Sequence, residues 1–246
     1  MGEASAHGGR PVVSVIIPSI RADRVEQALA SVARQTWTGP LEAVVIHDGG
    51  PPLVLDRWPF GVVSLGGLAR TGPAVARNRA VEASAGRILA FLDDDDEWCP
   101  DHLTLTVPAA EQTGGLVFTH AIVENVDEGW QRPLRLSFQP ALLRRTNPVI
   151  LSSLVMTRAA FASVGGFAAD LPRYEDWDLL LRCQAHGIPF TQVPQATIRY
   201  RFSHRSTSAD HARMAEVFAL FSARHGLHGL PVTNFARMAV EGVPDG

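Results

Sequence analysis

Two hydrophobic rhythms alternate along the first hundred residues. The run VVSVII at 12–17 is short, β-branched and stopped by Pro18, which predicts a buried strand. Over 22–35, Val25, Leu29, Val32 and Ala33 recur at helical spacing, with Asp23 and Glu26 in the first turn. EAVVI at 42–46 predicts a second strand, ended by the polar stretch His47-Asp48-Gly49-Gly50, and a third strand falls near 61–65. Gly72-Pro73 opens a helix that runs to about 84, where Gly86 stops it. RILAFL at 87–92 is a fourth strand, and four consecutive aspartates, Asp93 to Asp96, follow it. Strand alternating with helix predicts a parallel sheet with right-handed crossovers. Such sheets bind ligands outside the carboxyl ends of their strands. Polar clusters at 18–21, 47–50 and 93–96 all follow strand ends, so they converge on one edge.

The second half is less regular. The pattern predicts a helix at 100–112, a strand at 115–123, a mixed stretch at 130–148 and a strand at 150–156. A short helix at 158–163, a Gly165-Gly166-Phe167 turn and a helix at 175–186 come next. Strands at 189–193 and 196–202 precede a last helix at 208–225. No repeat or low-complexity linker interrupts the chain. The expected organisation is a tail at 1–11, one α/β domain at 12–226, and a C-terminal extension at 227–246 that either packs against a second copy, as in a homodimer, or frays.

Composition then removes whole classes of chemistry. All 22 basic residues are arginine. Without lysine there is no P-loop, no pyridoxal Schiff base and no kinase strand lysine. The net charge of −3 argues against a basic nucleic-acid coat. Cys99 and Cys183 form no CxxC and no disulfide framework. No run approaches the ~18–20 apolar residues of a membrane span, and residues 1–11 lack the apolar core of a signal peptide. The expectation is a soluble cytoplasmic protein with no membrane span and no nucleic-acid partner.

Two acidic elements remain. Four aspartates at a rigid strand end repel one another. Either they form a solvated turn that caps the next helix, or a divalent cation relieves the repulsion, and carboxylate oxygens suit Mg²⁺ or Mn²⁺. In an extended segment Asp93 and Asp95 point the same way and face one pocket. Glu175-Asp176, with Asp178, opens the helix at 175–186. Acids there are ordinary dipole partners, or Asp176 at the helix mouth serves as a general base.

In order and spacing these segments resemble the family 2 inverting glycosyltransferases of the GT-A fold. The resemblance is carried by 13–18 (VSVIIP), 31–36 (SVARQT), 44–50 (VVIHDGG), 72–79 (GPAVARNR), 91–98 (FLDDDDEW), 164–167 (VGGF), 175–182 (EDWDLLLR) and 199–208 (RYRFSHRSTS). It implies a Rossmann-like N-terminal half, with a central mixed, mainly parallel sheet flanked by helices. It also implies a nucleotide-binding half at 12–100 and an acceptor-binding half at 101–226. The implied donor is a nucleotide-diphospho-sugar, UDP-sugar favoured, and the acceptor is unknown.

The same resemblance assigns roles. Pro18, Ser19 and Arg21 would lie in the nucleotide-base loop, and Asp48 would accept from the base. Arg77 would brace the base and the acidic turn, with Asp93 and Asp94 near the donor. Asp95, joined by His204, would hold Mn²⁺ or Mg²⁺ on the diphosphate. Asp176 would be the general base of a single displacement. Glu175, Trp177, Ser152 and Ser153 would fall in the acceptor or donor-sugar region, although Trp177 also shares helical spacing with Leu180 and Leu181, which marks a core residue.

The chain departs from the family pattern at two turns. Ser19-Ile20-Arg21 stands where an aromatic and an asparagine are usual, and His47 replaces an acid. Gln-x-x-Arg-Trp is absent, which argues against a processive polysaccharide synthase. Competing readings are a lapsed nucleotide-sugar- or partner-binding module and a sugar-1-phosphate nucleotidyltransferase, whose glycine-rich start loop and lysine are missing. A strand-end aspartate phosphatase is a further alternative, but Glu97 stands where its motif needs threonine or valine. Trp130 and the arginines at 132–145 line an acceptor cleft or form a surface lid.

Overall fold

The computed structural model describes residues 11–67, 69–135, 137–203, 211–230 and 235–241. In the first half, β1 (Val13–Ser19), β2 (Leu41–His47), β3 (Gly61–Gly66) and β4 (Ile88–Phe91) alternate with α1 (Val25–Ala33) and α2 (Pro73–Glu82). The four strands are parallel in the order β3-β2-β1-β4. Val13 pairs with Leu41 on one side and with Ile88 on the other, so three strand ends emerge together.

The second half extends the sheet. Its elements are β5 (Glu97–Trp98), α3 (His102–Thr113), β6 (Leu116–Asn125), β7 (Trp130–Leu134), β8 (Val155–Thr157), α4 (Arg158–Ser163), α5 (Glu175–Ala185), β9 (Phe190–Phe202), α6 (His211–His225) and α7 (Phe235–Glu241). β8 joins β4 antiparallel, β6 joins β8 antiparallel, and β9 runs parallel to β6. β5 and β7 add antiparallel pairs to β9 and β6. The result is one mixed sheet of nine strands with helices on both faces.

Alternation along β1 builds both layers. Val13, Val15 and Ile17 face α1 and α3, whereas Ile16 joins Phe91, Phe161 and Phe167 beneath α2, α4 and α5. Each of these residues is at most 6% exposed.

Two expectations are corrected, and two stretches left open gain elements. The strand at 150–156 reduces to β8. Leu151–Ser153 forms a 3₁₀ turn instead, because Ser152 turns toward the acidic segment and its carbonyl accepts Trp98 Nε1–H at 2.7 Å. The two late strands are one, β9. It continues through Pro194 because the β6 register shifts around His120, and a proline is tolerated at such a bulge. The mixed stretch at 130–148 contains β7 and a 3₁₀ turn at Pro140–Arg144. Within the C-terminal extension, α7 packs on β6 and β7 and buries Ala236 and Met238.

Candidate functional site

The acidic segment leaves β4 as a tight turn, closed by Asp96 N–H donating to Asp93 O at 3.2 Å. It is not the extended segment expected of alternating residues, and each carboxylate goes a separate way. Arg77 donates to Asp93 at 2.6 Å. Asp94 is nearly buried, accepting from Ser19 Oγ at 2.6 Å and from Arg21 Nη2 at 2.8 Å. The same Arg21 nitrogen donates to Asp95 Oδ2 at 2.7 Å, with Arg24 at 3.6 Å. Asp95 keeps 22% of its side chain exposed. Burial and the charges of Asp93 and Asp94 raise its pKa.

Asp96 was not singled out from sequence and is the innermost of the four, 1% exposed. It accepts from Ser152 Oγ and from Arg201 N–H. Burial, then Asp95 and Asp93, hold its pKa well above the ordinary value. A run of four identical letters carries no signal of which one turns inward.

Arg77 links this turn to α5. Its guanidinium is buried and donates to Asp93 and to Glu175 Oε1, each at 2.6 Å. Phe167 lies against it, 5.6 Å from ring centroid to Arg77 Cζ. α2 presents Arg77 because Gly72, at φ 90°, turns the chain into Pro73, and Asp48 accepts from Thr71 N–H, Thr71 Oγ1–H and Gly72 N–H at 2.8–3.0 Å.

α5 is capped at its start by Tyr174, the one non-glycine residue with positive φ (61°) among the described residues. Such a conformation is strained and over-determined by its surroundings. Here the Tyr174 ring is held against Phe218 and Phe221. The next acids follow from that turn: Glu175 faces Arg77, and Asp176 accepts from Trp177 N–H and from Asn147 Nδ2–H, both at 2.8 Å. Asp176 retains some exposed surface, yet its carboxyl is hemmed in, and burial together with Glu175 pushes its pKa up to about 7. Tyr174 was not among the candidate residues, and no contact between Asn147 and Asp176 was expected. Asn147 precedes a proline in an irregular stretch, and a backbone angle leaves no mark in composition.

Other expected residues occupy supporting positions. Pro18 and Ser19 close β1 beside the turn, and Asp48 N–H donates to Ser19 O at 2.7 Å. Ser152 accepts from Asp93 N–H, and Ser153 donates to Ile150 O. Both serines are fully buried; Ser152 braces the acidic turn, and Ser153 closes its own 3₁₀ turn. Trp177 belongs to the core: its Nε1–H donates to Leu143 O, and its ring packs on Phe221 at 4.8 Å. His204 lies outside the described residues. Cys183 is buried with its thiol pushed up to about 12, and Cys99 is half-buried. A cleft of about 370 Å³ opens beside Asp95, lined by Arg24, Gln27, Glu124, Val126, Arg201, Phe202 and Ser203. Among the described residues no three metal-ligating side chains converge, and no helix is long and apolar enough to cross a membrane.

This architecture, with an acidic turn at the end of a central strand and a second acid pair facing it, is that of a GT-A-like α/β transferase. The profile of glycosyl transferase family 2 matches residues 14–169, and the chain belongs to that family of glycosyltransferases. It is 29% identical to the uncharacterized glycosyltransferase YwdF of Bacillus subtilis (strain 168) over 242 residues, 92% of this chain and 88% of that one. Among solved structures it resembles the mannosyltransferase PcManGT from Pyrobaculum calidifontis in complex with GDP-Man and Mn²⁺ (TM-score 0.64, 22% identity, 94% of this chain and 68% of that one). It also resembles S. aureus TarS 1–349 in complex with UDP-GlcNAc (TM-score 0.63, 16% identity, 86% of this chain and 65% of that one).

Proposed function

We propose that this chain transfers a glycosyl group from a nucleotide-diphospho-sugar to an acceptor hydroxyl by single displacement with inversion, Asp176 taking the acceptor proton. The observation that carries this reading is the Asp93–Arg77–Glu175 bridge. It ties the acidic turn to the first residue of α5, so donor-side carboxylates and the next acid, Asp176, share one site. Asp93 and Arg77 both act on Asp176 electrostatically. A base poised near neutral pH suits proton removal from a hydroxyl as it attacks.

In this reading residues 12–100 form the nucleotide half and 101–226 the acceptor half. Pro18, Ser19 and Arg21 border the nucleotide, Asp93 and Asp94 the donor, and Asp48 sets the loop that the base meets. Asp95 would hold a hard cation, its carboxylate partly exposed beside an open cleft. When bound, Mn²⁺ or Mg²⁺ would offset charge developing on the leaving diphosphate. TarS with UDP-GlcNAc and PcManGT with GDP-Man and Mn²⁺ support a nucleotide-sugar donor and a metal. UDP is favoured.

Calorimetric titration with UDP, in Mn²⁺ and in EDTA, tests the donor site. Micromolar, metal-dependent binding is expected. No binding of UDP, dTDP or GDP in either condition would overturn the reading in favour of a chain that keeps the fold without the chemistry.

A further inference from the structure

The acidic turn already contains a cation, and it sits on the carboxylate assigned to the metal. One nitrogen of Arg21 reaches Asp94 Oδ1 at 2.8 Å and Asp95 Oδ2 at 2.7 Å. Arg24 stands 3.6 Å from the same Asp95 oxygen. A divalent ion binds a carboxylate oxygen at roughly 2.0–2.1 Å, so it would lie within about 5 Å of that guanidinium nitrogen, where two positive charges repel.

The two carboxylates hold Arg21 unequally. Asp94 is fixed from below by the Ser19 hydroxyl and is 6% exposed, whereas Asp95 borders the cleft. The Arg21 side chain itself is 37% exposed. Its Nε–H is buried and makes no hydrogen bond among the described residues, a donor left for an oxyanion.

We propose that Arg21 is an exchangeable internal cation: it neutralises Asp95 in the unliganded protein, and on metal binding it gives up that oxygen and donates to the donor diphosphate. The proposal rests on the donor-site reading above. A guanidinium suits both states, because its fork pairs with carboxylate and with phosphate oxygens. It also accounts for the close packing of four aspartates in one turn. Arg77 takes the first, Arg21 the second and third, and the fourth is buried against Ser152.

The test is a titration of the full chain with Mn²⁺ alone, read from the electron paramagnetic resonance signal of the free ion. R21A should bind Mn²⁺ about tenfold more tightly than wild type, the order of one charge-assisted hydrogen bond, while R21K stays near wild type. In saturating Mn²⁺, R21A should bind UDP about tenfold more weakly. R21Q, which keeps length and an amide donor, replaces R21A if the latter does not fold. Mn²⁺ binding by R21A or R21Q that is no tighter than wild type overturns the exchange, as does absence of Mn²⁺ binding in all variants. A purely structural Arg21 would weaken metal and nucleotide together and lower Tm. Failure of wild type to bind any nucleotide would remove the donor-site reading, yet the metal-alone comparison would still decide whether Arg21 competes for Asp95.

Discussion

Asp176 is the residue on which catalysis and stability pull in opposite directions. Its folded pKa, about 7, lies above its unfolded value, so the folded state holds the proton more tightly. Ionising it in the folded state therefore costs stability, and that cost grows from about pH 4 until it is complete above about pH 7. As the proposed base it must be ionised, so kcat/KM should rise with pH through about 7 and level off above it. Asp176→Asn removes both effects. Turnover should fall by at least about 10²-fold, in the range general-base removal costs, with UDP affinity kept. Its Tm should exceed wild type at pH 8 and approach it near pH 4. A variant that turns over normally, or a Tm gain that shrinks as pH rises, would contradict the assignment. Asn147→Ala takes a donor from the ionised carboxylate, so the pH–rate midpoint should move to higher pH.

At the level of elements, the sequence was most informative where one physical signal dominated. β1, β2, β4 and α2 were legible because β-branched runs, a stopping proline and a Gly-Pro start all agree with the parallel half. The strand-end pattern puts Asp93–Asp95 just past β4, as in the structure. Tertiary contacts decided the rest. Leu151–Ser153 has a strand's composition, yet Ser152 is claimed by Asp96 and Trp98. β9 crosses a proline because β9 itself bulges there, opposite Thr119–Ala121 of β6. His102 looks like any histidine, but it is buried between Trp98 and Thr197, its pKa pushed down to about 3 by burial. The Arg77 bridge between α2, the acidic turn and α5 was half legible: Arg77 was expected beside the turn, but not Glu175 on its other nitrogen. Arg77→Leu leaves Glu175 buried without a partner and should cost about 3–5 kcal/mol, as breaking a buried pair does. Chemical denaturation measures this. Arg77→Leu combined with Glu175→Leu should recover part of the loss, whereas an additive double variant would mean that the pair does not interact.

Across the whole molecule, the C-terminal segment reaches the site through the core. α7 lies on β6 and β7, and Met238, 4% exposed, meets the Thr146 hydroxyl at 3.5 Å. Thr146 is followed by Asn147, whose amide holds Asp176. An element far along the chain from the acidic turn thus contacts the residue next to the one that holds the proposed base. Met238→Ala opens a cavity at that junction and should cost about 2–5 kcal/mol, lowering Tm by roughly 5–15 °C at this chain length. If the cavity lets the 146–147 segment relax, a second effect follows well below Tm: kcat falls and the pH–rate midpoint rises in the direction of Asn147→Ala, with UDP affinity unchanged. Met238→Leu, which conserves volume, should restore both. A lower Tm with an unmoved pH profile would show that α7 stabilises the sheet without acting on Asp176.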